Sequence, residues 1–191
     1  MLQSIIDWDK SILKLINSQW HNPVFDRVMP FLRNMETWIP FYVFLILLVL
    51  INFKSAGWKW VLLAIATVMC SDFVSSDLIK GNIHRLRPCN DPANADWFRA
   101  LQGISFPKSS SFTSSHATNH FALAIFFYFT LRNVLGKYAL LFFVWAACVC
   151  YAQMYVGVHY PIDIVCGALV GSSIGWLSAI IFKKRVGLLE L

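Results

Sequence analysis

Charge is scarce in this chain. Only 14% of its 191 residues are Asp, Glu, Lys or Arg, against about 25% in soluble domains. That shortage argues against an ordinary water-soluble globule. Cysteine is scarce too: there are 5, an odd number with no repeated spacing, which gives neither a disulfide framework nor a zinc signature. No cleavable leader is expected, because Asp7 and Asp9 stand near the N-terminus without a long apolar core. No linker, repeat or low-complexity tract divides the chain. The net charge of +6 does not call for a nucleic acid, since the cations lie largely in short loops between apolar segments, where they set membrane orientation.

What the chain has in abundance is apolar surface. Hydrophobic residues make up 58%, with 8 Trp and 16 Phe, and mean hydropathy is +0.58. A helix needs about 20 apolar residues to cross a bilayer. Five segments approach this: residues 37–53, 60–79, 117–131, 138–158 and 162–182. The first and third are short and must borrow flanking residues. The second ends in Asp72, Ser75, Ser76 and Asp77, so that end faces protein or water rather than lipid. The expected fold class is all-α, a polytopic membrane bundle of about five transmembrane helices, residues 37–191.

Residues 1–36 read differently. Ile5, Ile6, Trp8, Ile12, Leu13, Leu15 and Ile16 are interleaved with Asp7, Asp9, Lys10 and Lys14, the pattern of an amphipathic helix lying in the interface. A break at Asn22-Pro23 precedes a second short helix, residues 24–32. The alternative for this region is a sixth, irregular span. Three pairs or runs of cations, Lys54 with Lys59, Arg132 with Lys137, and Lys183, Lys184 and Arg185, share one side and mark it as cytoplasmic. The opposite side holds the polar loop 80–115 and the turn 157–161. That loop carries Lys80, Arg85, Arg87, Arg99 and Lys108 against the orientation rule, which points to an anion bound there.

Three polar clusters meet on that face. Lys80 and Arg87-Pro88 lie seven positions apart; a guanidinium fork matches two phosphate oxygens and an ammonium adds a point charge. Alone, they read equally well as a basic loop touching lipid headgroups. Thr113-Ser114-Ser115-His116 opens the third segment, and hydroxyls with free N–H groups at a helix start cradle anions. Alone, this is a capping serine and an interfacial histidine. His159 and Asp163 lie four apart at the start of the last segment; a carboxylate that holds one imidazole nitrogen frees the other for attack. Alone, the pair only ties a helix end. His120, four after His116, has metal-pair spacing, but with no third ligand nearby it reads as lining the pocket. Asp91 and Asp96 read as solvated loop charges.

Taken together, these residues resemble the type 2 phosphatidic acid phosphatase family, whose fold is shared with vanadium haloperoxidases. The family's K-x6-R-P is met by Lys80, Arg87 and Pro88. Its P-S-G-H is met by Ser114 and His116, with Thr113 and Ser115 in place of Pro and Gly. Its S-R-x5-H-x3-D is met by His159 and Asp163, with Ala152 and Gln153 where Ser and Arg are expected. The resemblance implies a metal-independent, cofactor-free hydrolase of lipid phosphates or diphosphates. His159 attacks phosphorus, Asp163 orients it, and His116 is the general acid. Lys80, Arg87, Ser114, Ser115 and Gln153 would hold the phosphate, with Arg85, His84 or Lys108 compensating for the missing arginine charge. It also implies an inner-membrane protein with a periplasm-facing site. Its partners would be the bilayer and a lipid phosphate: undecaprenyl diphosphate, phosphatidylglycerol phosphate, phosphatidic acid or lipid A phosphate. Two alternatives stay open: a lipid phosphotransferase that uses the same residues, and a non-catalytic lipid-phosphate binding or transport protein, which Gln153 favours. The sequence does not fix the oligomeric state.

Overall fold

The structure, a computed structural model, describes residues 2–187 and Leu189, and every described element is helical. Three continuous helical stretches are long and apolar enough to cross a membrane: Met35–Asn82, Ser115–Tyr155 and Pro161–Arg185. A straight helix of 48 residues would run about 70 Å, more than twice the hydrocarbon thickness. The first stretch therefore breaks. In α3 (Ile39–Asp72) Lys54 takes φ 43 and ψ −114, and beyond it Gly57 lies against the backbone of Val49. A Cβ there would meet the Val49 carbonyl at 2.5 Å, so a glycine lets the two limbs close together. The second stretch breaks at Gly136, φ 56, where a short 3₁₀ turn separates α5 (Ser115–Leu135) from α6 (Leu141–Tyr155). Helix α7 is Pro161–Arg185.

The breaks thus divide three stretches into five limbs, which coincide with the five apolar segments. The short third segment reaches 21 residues by taking in Ser115 and His116 at one end and residues 132–135 at the other. The polar end of the second segment forms a π-helical turn, Phe73–Ile79, a form often found at functional sites. It continues into the single turn α4 (Lys80–Asn82), and the polar loop follows.

Helices α5 and α7 pack in closest contact. A Cβ on Gly171 or Gly175 would collide with the carbonyl of Thr118 or Ala122, and one on Gly167 would meet the Ser114 carbonyl at 2.7 Å. Small residues at four-residue spacing let membrane helices approach backbone to backbone. This seam also joins the starts of the two helices: the Ser114 N–H donates to the Asp163 carbonyl, 3.1 Å. At the other end of the bundle Trp60 stacks on Phe127 at 5.1 Å and its indole donates to Thr130 Oγ1 at 2.7 Å, which satisfies a polar group the bilayer could not.

The N-terminal region divides where expected. Helix α1 (Leu2–Lys14) and its π-helical extension end before Asn22, which caps α2 (Pro23–Arg33) by accepting from the Phe25 N–H at 2.9 Å. Pro23 at the first helical position loses no hydrogen bond there. Helix α1 turns Ile5 and Trp8 outward and buries Asp9 and Leu13, and its extension buries Ile16. Helix α2 packs on α6, with Phe25 edge-on to Tyr155 and the Tyr155 hydroxyl donating to Asp26 at 2.6 Å.

Candidate active site

Loop and helix starts converge on His159, which is 2% exposed. It sits in the turn between α6 and α7, where Gly157 takes φ 76 and faces Phe98 and Asn17 closely enough that a side chain would collide. Arg87 Nη1 lies 3.2 Å from His159 Nε2. A guanidinium can only donate, so Nε2 accepts and the ring proton rests on Nδ1. On that side Asp163 Oδ2 is 3.7 Å away, too far for a direct hydrogen bond. The Ser111 hydroxyl lies between, donating to Asp163 Oδ2 at 2.5 Å and standing 3.5 Å from His159 Nδ1. The imidazole thus presents a basic Nε2 toward a cation and keeps its proton on the carboxylate side. Burial holds its pKa down to about 4, with Arg87 assisting and Asp163 opposing, so the ring is neutral at physiological pH.

Arg87 is itself held rigidly. Nε donates to the Ser109 carbonyl, Nη2 to the Ser109 hydroxyl and Nη1 to the Val158 carbonyl. Lys80 reaches the adjoining helix start, donating to Ser115 Oγ at 2.6 Å, while Ser76 from the π-helical turn lies 2.9 Å from the same oxygen. Ser114 is fully buried and caps α5, its hydroxyl accepting from the Ala117 N–H at 3.3 Å. His116 follows on the first turn of α5. Its carbonyl accepts from His120 Nδ1 at 2.8 Å, and the two rings lie parallel, 6.2 Å apart. His120 is therefore a packed neighbour of His116; its Nε2 is buried without a partner among the described residues. Gln153 is 1% exposed, and neither its amide nitrogen nor its oxygen has a partner among the described residues. A buried amide left this way needs an external partner to offset its desolvation.

Two expectations need correction. Arg85 does not face the anion pocket. Its terminal nitrogens are taken by two buried carboxylates, Asp163 Oδ1 at 2.6 Å and Asp9 Oδ2 at 2.5 Å, and its guanidinium lies over the Tyr160 ring at 4.2 Å. Asp91 is not a solvated loop charge, since it pairs with Lys10 at 2.9 Å and accepts from the Tyr160 hydroxyl at 2.9 Å. The sequence assigned no role to two of the loop serines and missed one carboxylate. Ser109 and Ser111 belong to a serine-rich loop with no periodic signal, and Asp9 looked like one more polar residue of an interfacial helix.

Beside His116 opens an apolar cavity of about 380 Å³. Its polar end is Asp72, Ser115, His116 and Asn119; its walls run along α3 and α5 to Leu45, Trp60 and Phe127. Asn119 bridges this end, donating to Asp72 at 3.1 Å and accepting from Ser71 at 2.6 Å.

The chain resembles a protein named lipid A 4'-phosphatase from Bacteroides thetaiotaomicron, with 33% identity over 197 residues, covering 100% of this chain and 84% of that one. A protein of the same name from Porphyromonas gingivalis is 30% identical over 63% of this chain and 60% of its own length. The fold matches the crystal structure of a PAP2 type phosphatidylglycerolphosphate phosphatase from Bacillus subtilis, TM-score 0.69 at 21% identity, over 96% of this chain and 88% of that one. It also matches LpxE of Aquifex aeolicus, TM-score 0.63 at 24% identity, over 92% and 94% of the two chains. The PAP2 superfamily model covers residues 57–186, and the chain belongs to that superfamily.

Proposed function

We propose that this chain is a membrane lipid phosphatase that removes phosphate from a lipid A-type phosphate monoester through a phosphohistidine on His159. The observation that carries the reading is the Arg87–His159–Asp163 arrangement: a buried neutral imidazole with Nε2 toward a fixed guanidinium and Nδ1 toward a carboxylate. Phosphate entering between Arg87 and His159 takes over the Arg87 donor now spent on Nε2. Nε2 attacks phosphorus, the bond from phosphorus to the lipid oxygen breaks, and His116 supplies the proton to that oxygen. Water then cleaves the N–P bond and releases inorganic phosphate. Lys80, Arg87 and the N–H groups opening α5 bear the equatorial charge, which is where phosphoryl transfer draws most of its acceleration. The Gln153 amide is a further donor, uncharged where the family pattern has arginine.

The cavity beside His116 supports a lipid as substrate, because it joins a polar mouth to an apolar wall inside the bilayer-spanning helices. The 33% identity over the whole chain to a lipid A 4'-phosphatase favours that lipid over the others. The cation-rich loops at the far ends of the helices favour an inner-membrane protein whose site faces the periplasm. Purified protein offered lipid A, phosphatidic acid, phosphatidylglycerol phosphate and undecaprenyl diphosphate is expected to release phosphate fastest from lipid A. His159→Ala should abolish release, and vanadate should inhibit it. Equal release by His159→Ala would refute the nucleophile, and phosphate found on an acceptor lipid instead of free in solution would make the protein a transferase.

A further inference from the structure

One carboxylate of the N-terminal helix reaches the catalytic pair. Asp9 is fully buried. Its Oδ1 accepts from the Ile162 N–H in the first turn of α7 at 2.8 Å, and its Oδ2 accepts from Arg85 Nη2 at 2.5 Å. Arg85 Nη1 donates to Asp163 Oδ1 at 2.6 Å. The other Asp163 oxygen accepts from the Ser111 hydroxyl and the Tyr160 N–H, and lies 3.7 Å from His159 Nδ1. A continuous line of contacts therefore runs from α1 to the imidazole. We propose that Asp9 and Arg85 are positioning residues for His159, and that the interfacial helix α1 is thereby a working part of the active site. The proposal rests on the phosphatase reading of that site.

Geometry separates this from a general structural tie. Among the described residues Arg85 is the only donor to Asp163 Oδ1. Without it a buried carboxylate oxygen has no partner, and the group relieves that by rotating away from Ser111 and His159. Arg85 is about a quarter exposed, so with Asp9 neutralised its guanidinium keeps one anchor and is free to swing. The backbone of Arg85 grips the same loop: its carbonyl accepts from the Ser111 N–H at 2.8 Å and its N–H donates to Ser110 Oγ at 3.2 Å. A second tie from α1 ends on the same helix start, Lys10 to Asp91 and Asp91 to the Tyr160 hydroxyl. The outer face of α1 exposes Ile5 and Trp8. Seating that face in the membrane interface and aligning His159 are then one structural event.

Asp9→Asn isolates the ion pair, because the asparagine oxygen still accepts from Ile162 while an amide N–H now faces Arg85. With short-chain phosphatidic acid in detergent micelles, this variant should lower kcat about 10–100-fold, the range for loss of a group that orients a catalytic ligand, with KM unchanged. Asp9→Glu should restore part of the loss, and Asp9→Asn in an Arg85→Gln background should add nothing further, since both act through one line. Nitrogen-15 NMR of labelled histidine reads position without turnover: His159 should be a single Nδ1–H tautomer in the parent and a mixture in Asp9→Asn. Parent-like kcat and an unchanged tautomer in folded Asp9→Asn would overturn the proposal, as would a rise in KM alone. If Asp9→Asn does not fold, Asp9→Glu and Arg85→Gln carry the same comparison. A parent protein that releases no phosphate from lipid A or from any of the other lipid phosphates would instead refute the phosphatase reading, while the tautomer measurement still decides the positioning claim.

Discussion

Replacing Arg87 by lysine keeps the charge and removes the fork, so it asks which of the two the site uses. In the structure the guanidinium spends three nitrogens on four acceptors: both oxygens of Ser109, the Val158 carbonyl and His159 Nε2. An ammonium is one atom. It cannot hold Ser109 on one side and aim a donor at His159 on the other. A hydrogen bond to a charged group contributes about 1.5–3 kcal/mol, so Arg87→Lys should lower kcat about 10–100-fold and weaken vanadate similarly. Arg87→Ala, which removes charge and fork together, should lower kcat about 10²–10³-fold. It also strands the Ser109 and Val158 carbonyls, each at about 1–3 kcal/mol, so folded fraction is measured alongside by thermal unfolding. Steady-state kinetics on short-chain phosphatidic acid with vanadate as competitor gives both constants. Arg87→Lys matching the parent in kcat and vanadate affinity would refute the bidentate argument.

Stability should fall with acid in a defined window. The folded pKa of His159 is about 4, below the ordinary 6.5, so the folded protein resists the protonated ring. Its contribution is intact above pH 6.5 and lost as pH falls toward 4, by about 3 kcal/mol at 1.36 kcal/mol per pKa unit; His159→Gln should flatten that part of a thermal-unfolding series. Gln153→Met should raise the unfolding temperature, because it removes a buried amide with no partner among the described residues at about 1–3 kcal/mol, while weakening vanadate binding. A variant that binds vanadate as the parent does would take Gln153 out of the phosphate pocket. Gly171→Leu puts a side chain into the Thr118 carbonyl and should destabilise by about 3 kcal/mol, pulling α5 from α7 and losing activity in proportion to folded protein.

How much was legible in the sequence follows from the range of each interaction. Apolar length predicted the limbs, and Lys54 marked the first turn between them through its charge. The spacing from His159 to Asp163 survives folding because it is local to the start of α7. Arg87 meets His159 across 72 positions; topology put both on one face, and the family resemblance put them in one site. Asp9 had no such guide. Amphipathic periodicity says which face of α1 is apolar, and by that rule an aspartate belongs in water; it is buried because Arg85 and the free Ile162 N–H at the start of α7 await it. Arg85 was misassigned for the same reason, since its partners lie 76 and 78 positions away. The α5–α7 seam went unread: Gly167, Gly171 and Gly175 recur at four-residue spacing, but what they do depends on which carbonyls lie opposite.

The most direct test of the account is to trap the covalent intermediate. A radiolabelled lipid phosphate mixed with enzyme for a fraction of one turnover and quenched in base should leave acid-labile, base-stable phosphate on the peptide containing His159. Label absent from the parent during active turnover, or present undiminished in His159→Ala, would contradict the assignment of that imidazole as the nucleophile.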